Sequence, residues 1–131
     1  MSNRAFNPDT IAPPQGAYSH GVEIPEGAQV TFISGQVGVD PDGNLPDDFR
    51  SQADNAFANC KAILEDSGLG FSDVVKVTQF LVRREDLPAY REVRGRYLGD
   101  LRPCSTLLII SGLVDPKMLI EVEMVAAKQP G

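Results

Sequence analysis

A sheet with too few helices to cover it is the strongest constraint this sequence imposes. Residues 74–82, 106–110 and 118–127 have strand composition and run apolar on both faces, with Val, Ile, Leu, Met and Phe at neighbouring positions. Such strands need a cover on each side of the sheet they form. Only two stretches have helical spacing. In residues 49–64, Phe49, Ala53, Ala56, Phe57, Cys60, Ile63 and Leu64 recur at three- and four-residue steps, with Asp47 or Asp48 as N-cap and Gly68 as the stop. Beyond residue 86, Leu87, Tyr90, Val93, Tyr97 and Leu98 repeat the pattern, and Pro88 is tolerated in a first turn. Two helices can cover one side of the sheet, so the other side is expected to meet further subunits.

The remaining elements complete the order. Residues 1–16 are rich in Pro, Asn and Gln and read as an extended arm. Residues 17–22 and 29–33 flank Pro25-Glu26-Gly27 and predict a hairpin, and residues 37–39 predict a short third strand or bulge before the turn at Asp40-Pro41-Asp42-Gly43-Asn44. The expected order is βββαβαββ. The expected fold is α+β, a mixed sheet of about six strands with two helices on one face, in one domain over residues 1–131. A chain of 131 residues can bury roughly two-thirds of its unfolded surface in a single core.

Charge and cysteine content narrow the function classes. A net charge of −6 opposes approach of a polyanion, and the arginines at 83, 84, 91, 94, 96 and 102 are interspersed with Glu85, Asp86, Glu92 and Asp100. Nucleic acid is therefore a poor default partner. Cys60 and Cys104 have no spacing that suggests a disulfide framework or a zinc site, which fits a reducing compartment. No run has the length of a signal sequence or a membrane span, so the expected location is the cytoplasm, away from membranes.

Four landmarks then occur in order. They are Gly16-Ala17-Tyr18-Ser19-His20; Phe32-Ile33-Ser34-Gly35-Gln36 followed by Asp40; Asn59-Cys60-Lys61-Ala62-Ile63-Leu64 through Asp73-Val74-Val75-Lys76; and Arg102-Pro103 leading to Glu121-Val122-Glu123. Together they resemble the Rid family, also called YjgF/YER057c/UK114, over nearly the whole chain. The resemblance implies a chorismate mutase-like fold and a homotrimer whose sheets form a central barrel-like core, with small-molecule clefts between subunits. It also implies hydrolysis of imines and enamines, such as 2-iminobutanoate and 2-aminoacrylate, without metal or organic cofactor.

Imine hydrolysis needs a placed water, a proton donor for the leaving nitrogen and a group to hold the substrate. Glu121 matches the family's acidic site residue, and a carboxyl within an apolar strand suits proton transfer; Glu123 is expected to be structural. Tyr18 and Ser34 match residues near the ligand, where their hydroxyls can orient water, and Gly35 leaves a backbone N–H open to approach. His20 falls two positions beyond Tyr18, on the same face of a regular strand, where the family commonly carries Gln.

The main departure is Ser105. It stands where the resemblance implies a carboxylate-binding arginine, and serine has no charged bidentate fork, which argues against the usual 2-imino acid substrates. The loop at residues 111–117 is also one residue longer than the deaminase pattern, as in arginine-lacking subgroups. Arg91 is a candidate replacement cation. Cys104 adjoins the site, and the family's reactive cysteine corresponds here to Leu107. The leading expectation is a hydrolase or deaminase of an imine, enamine or related metabolite, using Glu121, Tyr18 and Ser34, with Gly35, Ser105, Cys104 and Arg91 contacting substrate. A non-catalytic trimer binding a metabolite or partner in the same clefts is the alternative, and an endoribonuclease ranks third.

Overall fold

The computed structural model describes residues 1–130. In chain order the elements are β1 (Arg4–Phe6), β2 (Gly21–Glu23), β3 (Gln29–Val37), α1 (Phe49–Asp66), β4 (Val74–Leu81), α2 (Leu87–Leu98), β5 (Cys104–Ile109) and β6 (Ile120–Lys128). This is the expected βββαβαββ order and a mixed α+β architecture. The six strands, however, divide into two sheets. β3, β6, β4 and β5 form the main sheet in that order, and β1 pairs with β2 in a separate antiparallel ribbon.

The hairpin expected between residues 17–22 and 29–33 does not form. The turn is there, with Gly27 at φ +80° and the Ala28 N–H donating to the Pro25 carbonyl. Yet β2 pairs with the N-terminal arm while nine-residue β3 pairs with nine-residue β6. A three-residue β2 satisfies few of the backbone groups that a long strand exposes, whereas β6 matches almost all of β3. The arm is thus partly a strand, and Val37 closes β3 instead of opening a third strand.

The main sheet is antiparallel at β3/β6 and β6/β4 and parallel at β4/β5, the last pair joined through α2 as a crossover unit. Both helices cover one face. Asp48 caps α1 through the Ser51 N–H, and Gly68 at φ +72° ends it, with Leu69 N–H donating to Leu64 O at 2.8 Å and Gly68 N–H to Glu65 O at 3.0 Å. Ala53, Ala56, Phe57, Cys60 and Leu64 of α1 join Ile33, Val77, Leu81, Val122 and Met124 of the sheet in one buried core. Phe57 also stacks on Tyr97 of α2 at 5.3 Å, binding the helices together.

Among the described residues no helix lies over the opposite face of the sheet. Register places Val37, Glu121 and Phe80 side by side across three strands, and Phe32 beside Val125. Phe32 is 79% exposed, and Val30 and Leu108 are exposed too. No helix among the described residues is long and apolar enough to cross a membrane.

Candidate functional site

Strand parity decides where each candidate residue goes, because neighbours along a strand point to opposite faces. On β5, Ser105 is in register with Val77 and Leu107 with Gln79, on the face covered by the helices. On β6, Val122 shares that face and Glu121, in register with Phe80, does not. Ser105 and Glu121 therefore lie on opposite sides of the sheet.

The helix side holds a cleft of about 510 Å³ whose lining includes Tyr18, Gln79, Arg91, Arg94, Ser105 and Leu107. The chain segment carrying Tyr18 is tied to the start of β5 by the Ser19 N–H donating to the Pro103 carbonyl at 3.2 Å. This bond brings the first and last landmarks of the sequence together. Arg94 reaches across from α2 and donates through Nη2 to the Ala17 carbonyl at 2.8 Å. Arg91 also lines the cleft, exposed at its rim, and no Asp or Glu belongs to the lining. In a chain of net charge −6, this wall is locally positive.

Beneath the cleft lies a polar network. Gln79 Nε2 donates to Ser105 Oγ at 3.0 Å and to the Thr106 carbonyl at 2.9 Å, and the Tyr90 hydroxyl donates to Gln79 Oε1. Gln79 and Tyr90 are each 1% exposed. Burial pushes the Tyr90 hydroxyl well above its ordinary pKa, although the neighbouring Arg94 works the other way, so Tyr90 remains a donor. Sequence reasoning does not single out Gln79. The available signal was its position between Val77 and Leu81 on the buried parity of β4, where a lone glutamine needs partners.

The other face holds the remaining candidates. Between Ile33 and Gln36 the β3/β6 register shifts, leaving Ser34 and Gly35 in a bulge opposite Glu123. A Cβ on Gly35 would fall 2.2 Å from Glu121 Oε2. Gly35 thus makes room for the Glu121 carboxylate, a role distinct from the expected open N–H. Ser34 is exposed and Glu121 half-buried beside it in the chain fold. Glu123 is exposed on the same face.

Cys104 is not among the cleft residues. It has the opposite parity to Ser105, and its thiol lies 3.8 Å from the His20 carbonyl. His20 stacks edge-on to Tyr18 at 6.2 Å. Other landmark residues build the fold: Asn59 Nδ2 donates to the Val39 carbonyl at 2.9 Å, Asp40 Oδ1 accepts from the Asp42 and Asn44 N–H groups, and Asp73 accepts from the Gly70 N–H. Among the described residues, no three His, Cys, Asp or Glu side chains group to hold a metal ion.

Comparison with known proteins fits this architecture. Residues 10–128 match the model of a family described as Endoribonuclease L-PSP. The chain is 32% identical over 129 residues to the 2-iminobutanoate/2-iminopropanoate deaminase of Dermatophagoides farinae, covering 95% of this chain and 97% of that protein. Among solved structures, the Rid-family protein YyfB of Yersinia pestis superposes with a TM-score of 0.85 at 28% identity, covering 98% of this chain and 100% of that one. Escherichia coli TdcF with bound serine superposes with a TM-score of 0.73 at 25% identity, covering 96% and 99%. With nearly its whole length matched in family model, relative and fold, this chain belongs to the Endoribonuclease L-PSP family, the Rid or YjgF/YER057c/UK114 proteins.

Proposed function

We propose that this chain is a hydrolase of a small imine, enamine or related metabolite, acting in clefts shared between the subunits of a cytoplasmic homotrimer. The carrying observation is the split of candidate residues across the sheet, with Tyr18, Arg91 and Ser105 at the helix-side cleft and Ser34, Gly35 and Glu121 on the uncovered face. One chain cannot bring both groups to one small ligand; two copies, each offering a different face, can. Exposed Phe32, Val30 and Leu108 on the uncovered face support association there. The name of the Dermatophagoides farinae relative supports the reaction class.

In this reading water attacks the C=N carbon, and Glu121 takes a proton from the water and returns one to nitrogen. The C–N bond of the carbinolamine then breaks, releasing ammonia and leaving a carbonyl. Water and proton transfer suffice for this balance. Ser105 removes the charged fork from β5, so a substrate carboxylate falls to the other groups of the cleft, and the usual 2-imino acids are held less tightly than by an arginine at that position.

The test is release of ammonia and 2-oxobutanoate from 2-iminobutanoate generated in situ, with wild type, Ser105→Arg and Glu121→Ala. Activity is expected to be low in wild type, higher in Ser105→Arg and absent in Glu121→Ala. For a shared cleft, mixing Glu121→Ala with Arg91→Met, Ser105→Trp chains should restore activity in about a quarter of the clefts of a randomly mixed ring. No recovery on mixing, or a monomeric mass in solution, sinks the shared site. Silence from all three proteins, with small metabolites still bound, favours the alternative of a binding protein, for which the neutral Ser105 network is the supporting observation.

A further inference from the structure

We propose that Gln79 is the positioning residue that sets ligand specificity in the helix-side cleft: it holds the Ser105 hydroxyl as a hydrogen-bond donor, which acts with Arg94 on an anionic oxygen group of the ligand. The inference rests on the reading that this cleft is the ligand site, and it assigns roles to two residues, Gln79 and Arg94, that the family resemblance does not.

The orientation of the Gln79 amide follows from its surroundings. Its nitrogen faces the Thr106 carbonyl at 2.9 Å and the Val77 carbonyl at 3.3 Å, and neither can donate. The amide oxygen cannot occupy that end without facing two lone-pair groups, so it must point to the Tyr90 hydroxyl, which donates to it. The same nitrogen then donates to Ser105 Oγ at 3.0 Å. Ser105 Oγ thereby accepts from within the fold, and its own proton is left for the cleft it lines.

The rest of the wall has the same polarity. Tyr18 Oη accepts from the Gln15 N–H at 3.2 Å, which leaves the Tyr18 proton to donate. Arg94 uses Nη2 on the Ala17 carbonyl and lies beside the Tyr90 hydroxyl, and its guanidinium fork has further N–H donors for the cleft. With no acid among the lining residues, the cleft offers donors and positive charge from Tyr18, Ser105 and Arg94. Such a wall selects an anionic oxygen group over a neutral isostere because charge-assisted hydrogen bonds are the stronger ones. The family's single charged fork is thus replaced by a hydroxyl fixed from below and a cation fixed from the side.

The probes are 2-oxobutanoate and its neutral amide, 2-oxobutanamide, titrated by calorimetry, with amide chemical shifts of Gly95 and Leu107 reporting whether they enter the cleft. The wild-type chain is expected to prefer the carboxylate at least about tenfold. Arg94→Met should remove most of that preference. Gln79→Met and Ser105→Ala should each lower it about fivefold, and Ser105→Thr should keep it because the hydroxyl remains. In a Ser105→Ala background, Gln79→Met should lower it no further, because Gln79 acts through Ser105.

A merely structural Gln79 would weaken both probes equally, or act undiminished without Ser105, and either result overturns the proposal. Should Gln79→Met fail to fold, equal preference in Ser105→Ala, Ser105→Thr and wild type overturns it instead. Absence of shifts at Gly95 and Leu107 with both probes rejects the cleft itself, and the proposal with it. Binding in the cleft with no preference for the carboxylate overturns the proposal while leaving the cleft as a ligand site.

Discussion

The network below the cleft makes a stability prediction that needs no ligand. Tyr90 and Gln79 are each 1% exposed, and each is the other's hydrogen-bond partner. Tyr90→Phe leaves Gln79 Oε1 buried without a donor, at a cost of about 1–3 kcal/mol. Gln79→Met removes the bonds to Tyr90, Ser105, Thr106 and Val77, but Ser105 is half-buried and can find water, so the cost is about 2–4 kcal/mol, dominated by the Tyr90 hydroxyl proton left without an acceptor. In the Gln79→Met background that hydroxyl is the liability, and deleting it with Tyr90→Phe should cost about 0 kcal/mol or stabilise slightly. The coupling between the two positions is therefore expected at about 1–3 kcal/mol, measurable by urea denaturation of the four proteins. If Tyr90→Phe costs the same in both backgrounds, the two side chains do not act as one unit and the amide orientation argued above is wrong.

Gly35→Ala places a methyl 2.2 Å from Glu121 Oε2. The flexible carboxylate can swing away for about 1 kcal/mol in a urea titration, while ammonia release should fall at least about tenfold; unchanged turnover would remove Glu121 from the reaction. Native protein should take one equivalent of a thiol reagent, at half-buried Cys104, because burial excludes Cys60 and pushes its thiol up to about 12; mass spectrometry should count two in urea. Stability should decline between about pH 9 and 12. Cys60 and Tyr97 are both raised to about 12 in the fold, by burial and, for Tyr97, its bond to Asp54; their neutral forms stabilise the fold below the unfolded values, and that contribution is lost as pH rises. A urea midpoint flat from pH 8 to 11 would contradict this.

The first helix was readable because every signal for it is local. Asp48, the apolar spacing from Phe49 to Leu64 and Gly68 each act within a turn or two, and all three operate as expected. From α1 onward the order of elements was readable for the same reason, whereas β1 lies in the arm that reads as extended and residues 37–39 make no third strand. Strand pairing was not, since Pro25-Glu26-Gly27 does make a turn while saying nothing about which strand meets β3. Pairing is settled by the length and apolar surface of distant segments, and β6 outcompetes β2 on both.

The same limit governs the site. Glu121, Ser34, Gly35, Tyr18 and Ser105 are candidates that the family resemblance supplies one by one. Their relation to each other depends on register, and register appears only once β5 is set against β4 and β4 against β6. Ser105 aligns with Val77, and Val77 with Met124; from Met124 to Glu121 is three residues, an odd number, so the two side chains must emerge on opposite faces. Shifting β6 by one residue would put both on one side, but it would also turn Val122 and Met124 out of the core and Glu121 and Glu123 into it. The hydrophobic pattern that stabilises the single chain is therefore the same pattern that prevents it from assembling Ser105 and Glu121 into one cleft by itself.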